Sequence, residues 1–243
     1  MKSSDFYLGE FLDNKIDKYE AKFQNGKPYI DSRIEDFLFE KLFLDKDLQS
    51  NTKLLEIGFF SGRITRKLKK YFSNIYMTEH SIEMIKGIKN AFLFDWVNNK
   101  IDKKLLISKP FDLIISIGHP LSFSCNINKG IASCSKLIRK NGLFIFDIWN
   151  ANSSEEILPN YLIERMDKKK IEVILNKNGF EMIDMYYGQS FFSLFPRLLI
   201  KLYSKKIFSY IFFPIILKLE KILLLKKIVI GNPQTIFFIA KKN

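Results

Sequence analysis

The stretch that decides the fold is KLLEIGFFSGRITRKL, residues 53–68. A short apolar run is followed by two nearby glycines, Gly58 and Gly62, and then by an amphipathic segment. This order predicts a buried β-strand, a tight turn and an α-helix. Glycines permit a sharp turn and a close approach of the backbone to a ligand, and the helix N-terminus offers free N–H groups. Alone, the pattern is weak evidence for a nucleotide site, because two glycines before a helix are common.

Strands and helices alternate outward from this stretch. The runs NIYMTE, AFLFD, PFDLIISIG, LFIFDIW and FEMIDMYYG are typical of strands, and amphipathic segments lie between them. One of these, residues 128–142, is expected to form a helix that ends at Gly142. Alternation at this spacing predicts βαβ units, hence an α/β fold with a parallel sheet covered by helices on both sides. Such sheets bind ligands at the carboxyl ends of their strands.

The chain is expected to form one domain, residues 1–243, in four parts. These are an N-terminal helical leader (1–50), a ligand-binding core (51–189), a helical insertion (190–230) and a final strand (231–243). The insertion is apolar and basic, and its prolines predict two or three short amphipathic helices. Three interpretations stay open: a lid that packs on the core, which is the favoured one, a pocket for a lipid-like acceptor, and contact with a membrane surface.

Acidic residues stand at the ends of two further predicted strands. Glu79 ends the second strand, where a carboxylate can accept hydrogen bonds from both hydroxyls of a ribose. Asp95 ends the third strand and is followed by Trp96, a pair that can meet an adenine amino group and pack on the ring. The structural alternatives are an exposed or capping carboxylate for Glu79, and a loop acid beside a core tryptophan for Asp95 and Trp96.

Taken together, these stretches resemble the class I S-adenosylmethionine-dependent methyltransferases. LLEIGFFSGRIT is similar to their glycine loop, MTEHSIEMI to their ribose-binding strand end, and FDLIISIG and LIRKNGLFIFDIW to their fourth and fifth strands. The resemblance covers about residues 50–190 and the last strand. It implies a Rossmann-like, doubly wound sheet of seven strands, with the last strand antiparallel between strands five and six.

The resemblance also implies S-adenosyl-L-methionine as cofactor and assigns residues to it. Glu56 and Gly58, with Gly62 in the same loop, would meet the methionine end, and Glu79 the ribose. The adenosine would be met by His80, Asp95 and Trp96. One departure is Phe60, which stands where the family loop usually has glycine. Its ring must either point away from the cofactor or fill the cofactor's space.

Two residues are candidates for a general base. His119 directly follows the fourth predicted strand, on the edge expected to bind ligand, and its titration range suits a base. The alternative is that it only shapes the turn before Pro120. Asp147, near the carboxyl end of the fifth strand, is the weaker candidate.

Composition limits the partners. The net charge of +13, from 39 Lys and Arg against 26 Asp and Glu, suits an anionic partner, but solvated lysines are the favoured explanation. The two cysteines lack zinc-ligand spacing, so no metal is expected. The N-terminus has no apolar secretory segment, and the longest apolar run, residues 207–217, is too short to span a bilayer. A cytoplasmic protein is expected, with peripheral contact at the inner membrane surface through residues 190–230 as an option.

The leading hypothesis is a methyltransferase that acts on oxygen or nitrogen of a small molecule, such as a sugar, a lipid or another biosynthetic intermediate. The alternatives are a non-catalytic binding protein with the same fold and a membrane-surface lipid methyltransferase. A nucleic-acid substrate is not expected, because no N/D-P-P-Y/F motif or dedicated binding module is present. A nicotinamide dehydrogenase is disfavoured by the absence of G-x-G-x-x-G spacing.

Overall fold

A computed structural model describes residues 26–45, 48–153, 163–188, 190 and 206–243. The strands are β1 (Leu54–Ile57), β2 (Ile75–Glu79), β3 (Ala91–Asp95), β4 (Lys100–Ile101), β5 (Phe111–Ser116), β6 (Ile138–Asn150), β7 (Arg165–Met166), β8 (Phe180–Gly188) and β9 (Thr235–Lys242). The helices are α1 (Gly26–Asp45), α2 (Arg63–Leu68), α3 (Ile82–Ile85), α4 (Lys103–Ser108), α5 (Pro120–Phe123), α6 (Ile127–Ser135), α7 (Lys168–Lys177) and α8 (Lys206–Leu225).

The predicted sheet is confirmed. Its strand order is β4-β3-β2-β1-β5-β6-β9-β8, and β7 pairs with β6. The pairs β1–β2, β1–β5, β2–β3 and β5–β6 are parallel. The last strand, β9, is antiparallel and lies between β6 and β8, as the resemblance implied. Two short strands that the sequence did not predict, β4 and β7, bring the described sheet to nine strands.

Burial of apolar side chains fixes the central strands. The strands β1 and β5 are almost wholly buried, which agrees with their continuous apolar runs. The flanking helices bury residues at helical spacing: Ile64 and Leu68 in α2, Ile127, Ile131 and Cys134 in α6, and Ile171 and Leu175 in α7. The carboxyl ends of β1, β2, β3, β5 and β6 therefore carry the predicted site residues.

The helix predicted for residues 128–142 is too long. The structure ends α6 at Ser135, and Gly142 lies within β6. Pairing with β5 begins at Ile138, opposite Phe111, and the register then shifts so that Leu143 faces Leu113. A Cβ on Gly142 would lie 3.0 Å from the carbonyl oxygens of Arg139 and Asp112. The glycine is therefore required by a crowded strand irregularity rather than by a helix end.

The chain divides into two compact units. The core unit comprises Leu48–Trp149, Ile163–Met185 and Phe237–Asn243, and it contains every predicted site residue. The other, here called the helical unit, includes α1 and α8, which contact each other. The division into leader, core, insertion and final strand stays a prediction, and residues 1–25 and 191–205 lie outside the described residues.

The described part of the insertion differs from expectation. Residues 206–225 form a single helix, α8, with Pro214 inside it, rather than a pair of short helices. In the part of the chain that the structure describes, no helix combines the length and apolarity needed to cross a membrane.

Candidate active site

The loop after β1 has the backbone of a tight glycine turn. Gly58 and Gly62 have φ of 72° and 74°, in the left-handed region that glycine adopts without strain. The N–H groups of Gly58 and Phe59 both donate to the carbonyl oxygen of Thr78, at 2.9 and 3.2 Å. The Gly62 N–H donates to the carbonyl oxygen of Phe59, at 2.7 Å, and Gly62 is the N-cap residue of α2. The predicted strand–turn–helix is therefore confirmed in its geometry.

Gly58 is also required by space. A Cβ there would lie 2.8 Å from Cγ of Pro120, the first residue of α5. This is closer than two carbon atoms can approach, so the β1 loop contacts the start of α5 at the point where glycine lacks a side chain. Glu56 precedes this loop in β1, and His119 precedes Pro120.

Phe60 has a left-handed backbone conformation. Its φ is 49°, a value that costs a residue with a Cβ about 1–2 kcal/mol. Its N–H donates to Oε1 of Glu79 at 2.7 Å, a hydrogen bond to a carboxylate that offsets part of this strain. The loop therefore holds a bulky residue at a backbone position of the kind that glycine adopts most easily.

Glu56 is a buried carboxyl group of the site with a raised pKa. It is 1% exposed, and its Oε2 accepts a hydrogen bond from the Thr65 hydroxyl at 2.6 Å. Its Oε1 is buried and has no hydrogen-bond partner among the described residues. Burial raises the pKa of Glu56 from 4.5 to about 7; the Thr65 hydrogen bond lowers this pKa, and the nearby Glu79 charge raises it. A buried acceptor in this state demands a donor, and a cationic donor most of all.

Two partners of Glu56 were missed by the sequence analysis. Thr65 is buried in α2, although a polar residue in an amphipathic helix is usually exposed. Arg63 opens α2, and its positive charge lowers the pKa of Glu56. One terminal nitrogen of Arg63 lies 3.9 Å from the position of a Cβ on Gly118. The guanidinium is thus close to both the Glu56 carboxyl and the loop after β5.

Glu79 and His80 lie together at the end of β2. Glu79 is 4% exposed. Its Oε1 accepts from the Phe60 N–H, and its Oε2 accepts from the His80 N–H at 3.2 Å. His80 Nδ1 lies 3.1 Å from the same Oε2. Each carboxylate oxygen can accept more than one hydrogen bond, so Glu79 retains acceptor capacity for ribose hydroxyls. The structure brings both residues to the glycine loop, and their assignment to the cofactor stays a prediction.

Asp95 and Trp96 are held by their own surroundings. The Asp95 carboxylate accepts from the N–H of Asn98 at 3.0 Å and from its side-chain amide at 2.7 Å. Trp96 is 6% exposed, its ring centre lies 5.4 Å from that of Phe94, and its Nε1 would lie 3.1 Å from a Cβ on Gly130 in α6. These contacts match the loop acid and core tryptophan of the structural alternative. Binding of adenine by the pair stays a prediction.

His119 and Asp147, predicted separately, meet at the ends of β5 and β6. The Asp147 carboxylate is 1% exposed and accepts from the N–H groups of Gly118 and His119 at 3.1 and 2.7 Å. Nε2 of His119 lies 3.7 Å from Oδ2 of Asp147, and the imidazole stacks on Trp149 with ring centres 4.6 Å apart. His119 has φ of 67°, an uncommon value for a residue with a side chain. Backbone strain of this kind clusters at functional sites.

The described site brings together three kinds of ionisable side chain. Within the described ranges, no three His, Cys, Asp or Glu side chains group as metal ligands. The site instead combines a buried acid with an open oxygen, a nearby guanidinium and a histidine fixed by a carboxylate. These groups suit a ligand with an ammonium and a carboxylate, next to a substrate that loses a proton.

Comparison with known proteins adds the fold family. No family model and no curated protein matches the chain by sequence. Among solved structures, the chain is similar to a SAM-dependent methyltransferase from Archaeoglobus fulgidus, with 14% identity, a TM-score of 0.57 and coverage of 92% of this chain and 98% of that one. It is also similar to magnesium protoporphyrin IX methyltransferase from Synechocystis PCC 6803 with bound SAH, with 10% identity, a TM-score of 0.58 and coverage of 98% and 99%.

A third similar structure is the [4+2]-cyclase SpnF, with 12% identity, a TM-score of 0.53 and coverage of 85% of this chain and 80% of that one. A cyclase among these structures illustrates that one fold supports different reactions. At these identities the likeness concerns architecture, and it agrees with the strand order and the glycine loop described above. The chain therefore has the fold of the class I S-adenosylmethionine-dependent methyltransferases.

Proposed function

We propose that this protein is a methyltransferase that uses S-adenosyl-L-methionine to methylate oxygen or nitrogen of a small-molecule acceptor. The observation that carries the proposal is the Oε1 of Glu56 beside the glycine loop, which is buried and has no hydrogen-bond partner among the described residues. An amino-acid ammonium would supply the missing donor and stabilise the carboxylate. Arg63, the first residue of α2, would receive the carboxylate of that ligand. The fold supports the proposal, because it is the fold of S-adenosylmethionine-dependent enzymes.

The remaining cofactor contacts follow from the strand ends. Glu79 would accept hydrogen bonds from the ribose, with His80 beside it, while Asp95 and Trp96 would border the adenine. The left-handed loop with Gly58 and Gly62 lets the backbone approach the ligand closely. When bound, the cofactor supplies an electrophilic methyl group. The chain's own task is then to orient the acceptor in line with that group, and positioning of this kind contributes about 7–11 kcal/mol.

His119 is the proposed general base. Its Nε2 lies 3.7 Å from Oδ2 of the Asp147 carboxylate. The imidazole would take a proton from an acceptor hydroxyl or ammonium, and Asp147 would stabilise the imidazolium that forms. General-base catalysis contributes roughly 10²–10⁴-fold. Asp147 acts here as the residue that positions the base.

Several classes of acceptor are compatible with a histidine base. A sugar, a lipid or another biosynthetic intermediate would suit a histidine base equally well, and a lipid would suit the alternative of a membrane-surface enzyme. The second class of function, a non-catalytic binding protein, is favoured by one observation: Phe60 keeps a bulky side chain in the loop. It predicts a folded protein in which that ring excludes the cofactor.

Isothermal titration of the full chain with S-adenosylmethionine and with its demethylated product tests the proposal. We expect saturable binding of both ligands at one site. No heat from either ligand, together with no demethylated cofactor in the purified protein, would refute the cofactor assignment and favour the binding protein.

A further inference from the structure

Helix α8 has two apolar faces, although the packing of a helix against its own unit requires only one. Ile216, Leu223 and Leu224 are buried, together with Glu220. A second row is exposed at helical spacing and continues past the helix end. This row, here called the outer stripe, consists of Ile215, Leu219, Ile222, Leu225, Ile228 and Val229, which are 37–51% exposed.

Within the helical unit, the inner side of α8 has its partner. The helices α1 and α8 contact each other, and the ammonium group of Lys221 lies 5.1 Å from the ring centre of Phe37 in α1. The ammonium group of Lys227 lies 5.5 Å from the ring centre of Tyr186. The outer stripe is therefore apolar surface beyond what this packing uses. A row of exposed apolar residues marks an interaction surface.

The charges around the outer stripe point to one kind of partner. Lys218 follows Ile215 by three positions and precedes Ile222 by four, so the helix period places it within the stripe, and Lys226 and Lys227 are exposed at its end. The sequence from residue 191 to residue 243 contains one acidic residue, Glu220, and that residue is 1% exposed. Lysines interspersed with aliphatic side chains, without acids, are typical of helices that lie in the interface of an anionic bilayer.

We propose that the outer stripe of α8 docks this protein on the surface of an anionic lipid bilayer. The aliphatic side chains would enter the boundary between headgroups and acyl chains, and the lysines would contact the anionic headgroups. A second copy of the chain fits less well, because two stripes with the same lysines would repel each other at close range. The proposal is independent of methyl transfer.

Sedimentation with lipid vesicles tests the proposal. We expect the full chain to bind vesicles of mixed phosphatidylglycerol and phosphatidylcholine and to bind pure phosphatidylcholine far more weakly. The double variant Leu219→Glu, Ile222→Glu should weaken binding to the mixed vesicles at least about tenfold. The matched control is Val173→Glu, which adds a charge at an exposed apolar position of α7 in the core unit and should bind as the wild type does.

Two further readouts separate docking from loss of folding and from self-association. Ile222→Trp should show a blue-shifted emission on the mixed vesicles only, while circular dichroism verifies the helix content of every variant. The proposal is overturned if the folded double variant binds the mixed vesicles as well as the wild type. It is also overturned if the wild type binds no vesicles but forms a dimer, and the double variant is a monomer. That result would assign the outer stripe to contact with a second copy of the chain.

Discussion

Two carboxylates lie near the carboxyl ends of β1 and β3 in the same sheet, and their hydrogen-bond partners differ. Asp95, at the end of β3, has both oxygens occupied by Asn98, a residue three positions away. Glu56, near the end of β1, has one oxygen bonded to Thr65 and the other buried without a partner among the described residues. Each oxygen of Asp95 therefore already accepts a hydrogen bond from within the same turn. Glu56 lacks a donor among the described residues for one of its oxygens, so we expect ligand binding to depend more on the β1 end than on the β3 end.

The comparison is tested most strongly by Glu56→Gln with Asp95→Asn as its matched control. Both changes remove a charge and keep the shape of the side chain. A hydrogen bond to a charged group contributes about 1.5–3 kcal/mol, so Glu56→Gln should weaken binding of the demethylated cofactor by about 10–100-fold. Asp95→Asn should change the Kd by less than about threefold, because its partner is internal. Equal losses in the two variants, measured by isothermal titration, would show that the β3 end contributes as much as the β1 end.

The pH dependence of cofactor binding sharpens the same contrast. The pKa of Glu56 in the free protein is raised to about 7, and an ammonium ligand requires the ionised carboxylate. Binding should therefore tighten as pH rises through 7 and be about fivefold weaker at pH 6 than at pH 7, since the protonated fraction must first ionise. The Kd of Glu56→Gln should be flat over this interval. A wild-type Kd that does not change between about pH 6 and pH 7.5 would contradict the assignment of Glu56 to a cation.

Stability should show the opposite sign. Since the folded pKa is above the unfolded value, the folded chain holds a proton that the unfolded chain has released, and stability falls as pH rises from 4.5 through about 7. At pH 8, Glu56→Gln removes this cost but leaves an amide donor in the pocket, so a net gain of about 1 kcal/mol, or 2–4 °C in Tm, is expected. Thermal unfolding at pH 5 is the control, where the gain should vanish. If Glu56→Gln is less stable than the wild type at pH 8, the ionised Glu56 carboxylate does not destabilise the folded chain.

The smallest expected effect belongs to Phe60→Gly. Glycine relieves the left-handed strain of about 1–2 kcal/mol, but it also loosens the unfolded chain, so the change in unfolding free energy should stay within about 1 kcal/mol. Cofactor affinity should be nearly unchanged if the ring points away from the ligand. If the wild type does not bind the cofactor and Phe60→Gly does, the ring fills the cleft, and the protein is a non-catalytic binder.

The sequence predicted those features that depend on local pattern and strand ends. Alternating apolar runs indicated the parallel sheet, and Gly58 and Gly62 indicated the turn, because only glycine adopts those backbone angles freely. The acids at strand ends were placed correctly, since all carboxyl ends of a parallel sheet share one edge.

Other features depend on contacts between distant positions, which local pattern does not encode. Gly142 resembled a helix stop, but pairing of Ile138 with Phe111 decides its strand conformation. The contact between His119 and Asp147 arises because β5 and β6 are adjacent, while each residue was predicted alone. Thr65 and Arg63 were missed because their roles require the fold to bring α2 back over Glu56.

The hold of Asp147 on the β5 loop has a consequence for the entropy of catalysis. Two backbone N–H groups and the imidazole of His119 converge on one buried carboxylate, and Trp149 stacks against the ring. A side chain that becomes ordered only upon binding costs about 0.5–1.5 kcal/mol. These contacts restrain the His119 ring in the folded chain, so an arriving acceptor would meet the proposed base in an orientation that was set during folding.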